Sequence, residues 1–450
     1  MERVRERLDG LRPLLGSVFL AGYVLATFTP GSFGTVVFLA AGIVMYAMSV
    51  PWASAFHKVF ALVSFVTLGL AILLGRFEAA KFFDGLPTYF GIVAVLVVLS
   101  VAGYPIRAAR YEAQIQGLMA ALTRRGVSVR TTAGALGHVL GAVLDVGSFV
   151  LIDVITTRAA PKERLDALRW AARTFSFAPL WANLNLLTAT TITLTGVSYP
   201  GLLEVSLPFV LLGLTITLFA AQREKGVLED SPETTLDRGA AAVLFYPVLL
   251  VMAVALVSLL FPSLPLTAAI AVTVATVVVL IAVLAATLLR RPSPIKRLVR
   301  ESRDSLAASH AEFALFGSAG VFVLSLEALG VLTPLGSLLS ALPDVLVAPV
   351  LALIMALGFV IGIHVLPMVL LINTAFPLDS GPAPALWAVA ILLGSQSTIL
   401  LTPFSNAVTM LARLSGAHPL EIGPKKNLKF GLTVGLAGIL YLALLSLLLL

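Results

Sequence analysis

The chain has 450 residues, 59% hydrophobic and 12% charged, with a mean hydropathy of +1.02 and a formal net charge of +7. One soluble domain of this length does not bury that much apolar surface, and the apolar runs, about 17 to 25 residues each, lack the alternation of a β-barrel. The chain therefore reads as an all-α polytopic membrane protein. Cysteine is absent, which excludes disulfides, thiolate metal sites and cysteine nucleophiles, and the five histidines show no HExxH spacing. Nothing points to an enzyme, a bound metal or an organic cofactor, and the basic excess reports membrane topology rather than nucleic acid.

The start MERVRERLDGLRPLL is Arg-rich but also holds acids, and no small-x-small cleavage site closes the first apolar run. Residues 1–30 are thus expected to remain as an extra N-terminal span, with the N-terminus in the cytoplasm. A first repeat covers 31–221, with spans near 33–50, 59–75 and 88–105. RAARYEAQIQGLMAALTRRG follows as an interfacial amphipathic helix. TTAGALGHVLGAVLDVGSFVLIDVITT then lies between two basic clusters, and a single crossing would put one of them outside. Residues 131–157 are therefore expected to form a re-entrant hairpin entered from inside, with glycines at its turn and Asp145 and Ser148 at its polar tip. A broken helix over about 174–195 crosses outward, and 202–221 returns.

Residues 222–238 read as a solvated cytoplasmic linker between two halves. The second repeat, 239–450, crosses at 239–261 and 264–289, leaves RRPSPIKRLVRESR inside, and crosses again at 312–334. The run 345–376 is too long for one span, and its flanks carry no Lys or Arg, so it reads as a second hairpin opening outward. A broken helix over about 385–411 then runs inward, and 430–450 leaves the C-terminus outside. In this threading only Arg76 and Lys81 of the 30 basic residues face outward. The two halves form an inverted repeat of about eleven transmembrane helices, with two opposed re-entrant hairpins and two broken helices.

Residues repeat as well. Ser176 precedes Asn185 by the interval at which Ser397 precedes Asn406, and each Asn opens a matching tetrapeptide, NLLT and NAVT. Pro179 and Pro403 lie just upstream, Gly196 and Gly416 just downstream, and GHVLG at 137–141 echoes IHVLP at 363–367. Proline in a span removes a hydrogen bond and frees a carbonyl. Broken helices at both places would offer oxygens to a hard cation such as Na⁺ and helix N-termini to an anion. The candidate ligands are Ser148, Ser176, Asn183, Asn185 and Thr188 in the first half. In the second half they are Asn373, Thr374, Ser397, Thr398, Thr402, Ser405, Asn406 and Thr409. Such residues also hold helices together by hydrogen bonds, but two polar runs in matching positions favour a binding site. Ionisable groups inside membrane segments, Asp145, Glu327, His138 and His364, are candidates for proton coupling; Asp153 reads as solvated near the cytoplasmic mouth.

The inverted halves, the opposed hairpins and TPFSNAV after a Ser-rich approach resemble the ion transporter superfamily, which includes divalent anion:sodium symporters, citrate carriers and arsenite-type permeases. Thr402, Pro403 and Asn406 match its second-repeat break, and Asn185 the first. The Ser-Asn-Thr hairpin-tip signature of the dicarboxylate branch is missing, with Gly147-Ser148 in one half and Ile372-Asn373-Thr374 in the other. The resemblance implies a homodimer in the inner membrane, working by an elevator motion of hairpins and broken helices against a fixed scaffold.

The leading expectation is secondary active transport of a small anion coupled to Na⁺, and the alternative is a proton-coupled carrier or exchanger using Asp145 and Glu327. An intramembrane enzyme lacks a nucleophile with its base, a channel lacks a polar stripe along whole spans, and ATP-driven transport lacks a GxxxxGK[ST] loop.

Overall fold

The computed structural model describes residues 2–29, 31, 33–105, 112–156, 161–224, 242–290, 292–376 and 383–449. Among these residues the structure is helical throughout, without strands. The first half contains α1 (Glu2–Phe28), α2 (Phe33–Ser49), α3 (Ala55–Leu73), α4 (Ala79–Ala102), α5 (Glu112–Arg124), α6 (Val129–Leu144), α7 (Gly147–Ile155), α8 (Pro161–Phe175), α9 (Leu186–Thr195) and α10 (Tyr199–Arg223). The second half contains α11 (Ala242–Leu260), α12 (Leu266–Leu288), α13 (Ser293–Ala308), α14 (His310–Leu329), α15 (Thr333–Ser340), α16 (Asp344–Val360), α17 (Val365–Ala375), α18 (Pro384–Thr398), α19 (Asn406–Ser415) and α20 (Lys426–Leu449). Most of the expected linker, from residue 225 on, lies outside the described residues.

Among the described residues, eight helical segments are long and apolar enough to cross a bilayer: α1 to α4, α10, α12, α14 and the stretch Glu421–Leu449 that ends in α20. The shorter apolar helices include α9, α16 and α17, which belong to the interrupted segments. The protein is an all-α polytopic membrane protein.

The chain divides into two compact units. The first comprises residues 1–105, 257–340 and 370–376. Its centre is aromatic: the Phe19 ring lies 5.0 Å from those of Phe38 and Phe313 and 6.4 Å from that of Phe90. All four are buried. A Cβ on Gly22 would stand 2.7 Å from the Phe38 amide nitrogen, so only glycine permits this approach of α1 to α2. The Tyr46 and Ser318 hydroxyls, 3.1 Å apart, tie α2 to α14.

The second unit comprises residues 106–256, 341–369 and 377–450. It holds α6 and α7, α16, and both interrupted helices. In its first half α6 turns into α7 at Asp145–Val146, so the expected hairpin over 131–157 is a helix pair over Val129–Ile155. In its second half α16 ends at Val360 and α17 begins at Val365, which puts the turn at 361–364. The hairpins do not match residue by residue: His138 lies within α6, whereas His364 lies in a turn. Each outer arm packs on the helix that enters a break, α6 on α8 and α16 on α18. Both approaches are closed by small residues. A Cβ on Gly137 would meet Ala171 at 2.7 Å, and one on Gly394 would meet the Ala352 carbonyl oxygen at 2.2 Å.

Candidate functional site

Two helices in the second unit break and restart along the same backbone course. After α8, residues 176–185 form tight turns, including a 3-10 turn at Ala178–Leu180, before α9 begins. After α18, residues 399–405 do likewise before α19. From 181 to 200 and from 401 to 420 turn, helix and extended positions follow in the same order, at an offset of 220. Each restarted helix has 10 residues and ends on a left-handed glycine, Gly196 with φ 65° and Gly416 with φ 69°. A side chain at such a φ is strained, which explains glycine at both stops.

The offset revises the pairing expected from sequence. Asn185 and Ser405 occupy the equivalent N-cap positions, and Asn406 is the first residue inside α19. The Asn185 Oδ1 accepts from the Leu187 and Thr188 amides at 3.0 and 3.4 Å. The Ser405 Oγ accepts from the Val408 amide at 3.1 Å. Each cap satisfies amides that have no carbonyl one turn back. The prolines are not equivalent either. Pro179 lies in the 3-10 turn and Pro403 four residues later in its own half, where the first half has Asn183. Two different sequences reach one backbone path.

Surroundings distinguish the breaks. The first is enclosed: Ser176, Asn183 and Thr188 are buried. Thr188 Oγ1 donates to the Pro179 carbonyl and clamps α9 to the turn before it. The Asn183 Nδ2 donates to the Val251 carbonyl at 3.0 Å, which leaves its Oδ1 buried and without a partner among the described residues. On α18, which packs against the first break and α9, Gln396 Oε1 is likewise buried and unpartnered. A buried acceptor without a donor costs about 1–3 kcal/mol. The second break is open: Phe404, Asn406 and Thr409 are exposed, while Thr402 and Ser405 remain buried. A Cβ on Gly362, at φ 96°, would lie 3.0 Å from the Phe404 ring, so the turn of the second hairpin rests on this break.

Several other candidates spend their polar atoms locally. Ser176 donates to Arg173, Ser397 and Thr398 to Gly394, and Thr409 to Ser405. Thr402 Oγ1 accepts from the Phe404 amide at 3.3 Å. Asn373 and Thr374 lie in the last turn of α17, away from the hairpin turn and within the first unit, where Thr374 donates to Leu370. They are therefore not the hairpin tip that the sequence pattern placed there, because the chain turns earlier, at Gly362.

The ionisable candidates separate. Asp145 is exposed at the first hairpin turn and holds φ at 51°, where a non-glycine residue costs about 1–3 kcal/mol. Its backbone carbonyl accepts from both the amide and the hydroxyl of Ser148, which secures the turn. His138 Nδ1 lies 2.9 Å from the Thr174 carbonyl, and its Nε2 lies 3.0 Å from Trp181 Nε1. Indole can only donate, so Nε2 accepts and Nδ1 carries the proton: a neutral imidazole bolts α6 to the first break. His364 Nδ1 accepts from the Leu366 amide at the start of α17. Glu327 is exposed near the end of α14 in the first unit. Among the described residues, no cluster of three or more His, Asp or Glu is placed to hold a metal ion.

Asp153 is buried rather than solvated. Arg164 donates to its two oxygens at 2.6 and 2.7 Å and to the Leu414 carbonyl in the last turn of α19 at 3.3 Å. Arg173 donates to Asn427 Oδ1 at 2.9 Å and the Lys426 carbonyl at 3.0 Å. Asn427 in turn caps the π-turn Glu421–Lys425 through the Ile422 carbonyl at 2.8 Å. Sequence reasoning singled out Gln396 among the polar residues of 394–416 and missed Trp181, Arg164, Arg173 and Asn427. For Trp181 a signal existed, since it sits within the first broken segment.

Two interrupted helices share one compact unit of a polytopic membrane protein, the first abutted by the helix pair α6–α7 and the second by α16. No family model matches the sequence, and no curated protein does. Among solved structures, the YdaH transporter of Alcanivorax borkumensis, described as having an unusual topology, matches with a TM-score of 0.51 over 87% of this chain and 98% of that one, at 15% identity. The two proteins share a fold.

Proposed function

We propose that this protein is a secondary active transporter that moves a small anionic solute, coupled to Na⁺, by elevator-type alternating access, and that it is a homodimer of the ion transporter superfamily. The observation that carries the reading is the pair of helix breaks with one backbone course, 220 residues apart in the numbering and gathered in one unit. Capped helix starts at Asn185 and Ser405 supply partial positive charge for an anion. The unpartnered Asn183 Oδ1 and Gln396 Oε1 are neutral oxygens of the kind that replace water around Na⁺. The elevator reading, in which the hairpins and broken helices travel against fixed spans, draws on the division into two compact units, of which the second holds both broken helices together with α10 and α20.

Purified protein in proteoliposomes, offered a panel of small anions with and without an inward Na⁺ gradient, tests this. Saturable accumulation of one anion that requires the Na⁺ gradient is the expected result. Transport indifferent to Na⁺ would overturn the coupling, and absence of gradient-driven accumulation across the panel would overturn the function.

One observation favours the alternative of proton coupling: an exposed carboxylate, Asp145, at a hairpin turn whose backbone it strains. If protons drive the cycle, Asp145→Asn abolishes accumulation driven by a pH gradient but retains solute exchange, because exchange needs no net proton movement.

A further inference from the structure

The amphipathic helix α13, in the first unit, is fixed at Pro294, Leu298, Ser305 and Leu306, and its first turns leave Ile295 and Val299 exposed. The Tyr104 hydroxyl donates to the Pro294 carbonyl at 2.7 Å, and the Ser100 and Ser305 hydroxyls pair. Leu298 and Leu306 are buried, Leu306 lying where a Cβ on Gly16 would be 2.5 Å away. Arg297 turns back to Glu301 at 3.0 Å.

The free side carries two adjoining stripes. One is apolar, Ile295 and Val299, spaced i,i+4, with Val299 62% exposed. It continues an apolar rim at the end of α12, where Leu288 is 82% exposed. The other is basic: Lys296, Arg300 and Arg303 are exposed, at i, i+4 and i+7, and none makes an ion pair among the described residues. Asp304 is the acid at the edge of this stripe, and it is exposed. An apolar strip of this kind is unfavourable in water, and unpaired cations beside it match a surface that is apolar below and anionic above.

We propose that the free face of α13 binds an anionic phospholipid, with Ile295 and Val299 at the acyl boundary and Lys296, Arg300 and Arg303 on the headgroup phosphates. The helix would then anchor the first unit to the anionic leaflet, independently of what the second unit carries. The orientation follows from the stripes: residues three and four apart share a helix side, so all three cations reach the headgroup level when the two apolar residues sit just beneath it. Each such cation near a charged surface contributes about 1 kcal/mol, roughly a fivefold preference for anionic over neutral lipid.

The chain contains no cysteine, so Val299→Cys gives one labelling point for an environment-sensitive fluorophore. The labelled protein is placed in nanodiscs of phosphatidylcholine containing either brominated phosphatidylglycerol or brominated phosphatidylcholine. The expected result is stronger quenching by the brominated phosphatidylglycerol at equal mole fraction, by at least severalfold. The preference should disappear in K296Q/R300Q/R303Q and also in the unaltered background near 1 M salt, where the screening length is about 3 Å. The salt arm keeps the test decisive if the triple variant does not fold. Equal quenching by both lipids, or a preference that survives both charge removal and salt, would overturn the recognition of an anionic headgroup. Absence of quenching by either lipid would overturn contact of this face with lipid at all.

Discussion

Arg164 holds Asp153 through two parallel bonds of 2.6 and 2.7 Å and with its remaining reach donates to the Leu414 carbonyl. One guanidinium thus joins the first hairpin to the end of the second broken helix, two segments about 250 residues apart. Asp153 is 7% exposed, whereas the Arg164 side chain is 35% exposed, so the burial cost falls mainly on the carboxylate. Removing Arg164 strands that carboxylate in the interior. Arg164→Ala is expected to lower stability by about 3 kcal/mol, at the low end for a buried pair because the arginine is partly solvated. The double variant Arg164→Ala/Asp153→Asn should recover much of the loss. Thermal unfolding of the purified single and double variants measures both; a double variant no better than Arg164→Ala would mean that the contact with Leu414, not the ion pair, dominates.

The geometry of His138 predicts a residue that stabilises without titrating. Trp181→Phe removes the N–H directed at Nε2 and should cost about 1 kcal/mol of stability. His138→Ala should cost more, because it also frees the Thr174 carbonyl. In neither variant should the pH profile of transport move. A profile displaced in His138→Gln would return this histidine to the proton-carrying role.

At the helix restarts, Asn185→Ala and Ser405→Ala each remove a cap worth about 1 kcal/mol, whereas Asn406→Ala, one residue on and exposed, should change stability little. The same thermal measurement, run beside uptake assays, distinguishes capping from ligand binding. Uptake lost in Asn406→Ala with unchanged stability would restore the pairing that the residue pattern implies.

Asp145→Gly is expected to raise stability by about 1 kcal/mol, since glycine adopts φ 51° without a steric penalty. If the strained carboxylate serves transport, the stabilised protein will be the slower transporter. A variant both more stable and fully active would show that the carboxylate is dispensable.

Acid sensitivity should concentrate at Glu224, just past the end of α10. Burial alone would raise its carboxyl, but the Trp170 indole at 2.7 Å, Arg169 at 2.9 Å and Arg130 at 3.6 Å hold it below the usual range. A depressed carboxylate stabilises the fold fully above its unfolded value, about 4.3, and progressively less as pH falls through the folded value. Glu224→Gln should therefore be less stable than the parent at neutral pH, and the gap should close below about pH 4. Melting temperatures across that range read the effect directly; a gap independent of pH would mean that the contacts made by Glu224 are not electrostatic.

Hydropathy and charge are local sums, so the apolar helices were legible from sequence. The positions of the breaks were legible too, because proline, glycine and small polar residues in apolar surroundings mark backbone that cannot stay helical. What misled was similarity of letters. NLLT and NAVT suggested that Asn185 pairs with Asn406, but equivalence in the structure is set by which residue caps the first free amides, and that shifts the pairing to Ser405. The segment 161–175 read as a basic cluster before a span. Its Lys and Arg conceal an amphipathic helix whose buried side, Ala167, Leu168, Ala171 and Phe175, packs in the core shared with Val408 and Leu411. Asp153 and Arg164 lie 11 positions apart, and only a finished hairpin brings them together. No periodicity rule marks such a pair.

The shared course of 181–200 and 401–420 carries an engineering consequence. Where two stretches trace one path with different side chains, the path tolerates either set locally, and what differs is the neighbourhood each set was fitted to. Transplanting 401–405 into the place of 181–185 would insert Phe404 where the buried Leu184 now lies, and would remove the indole that meets His138. The reverse graft would place Leu184 at the exposed position of Phe404 and would ask the buried Ser405 position to take only the extra volume of Asn185, which can cap the same amides. The halves should thus be interchangeable in one direction only, and a pair of reciprocal chimeras would behave as a one-way valve for sequence drift between them.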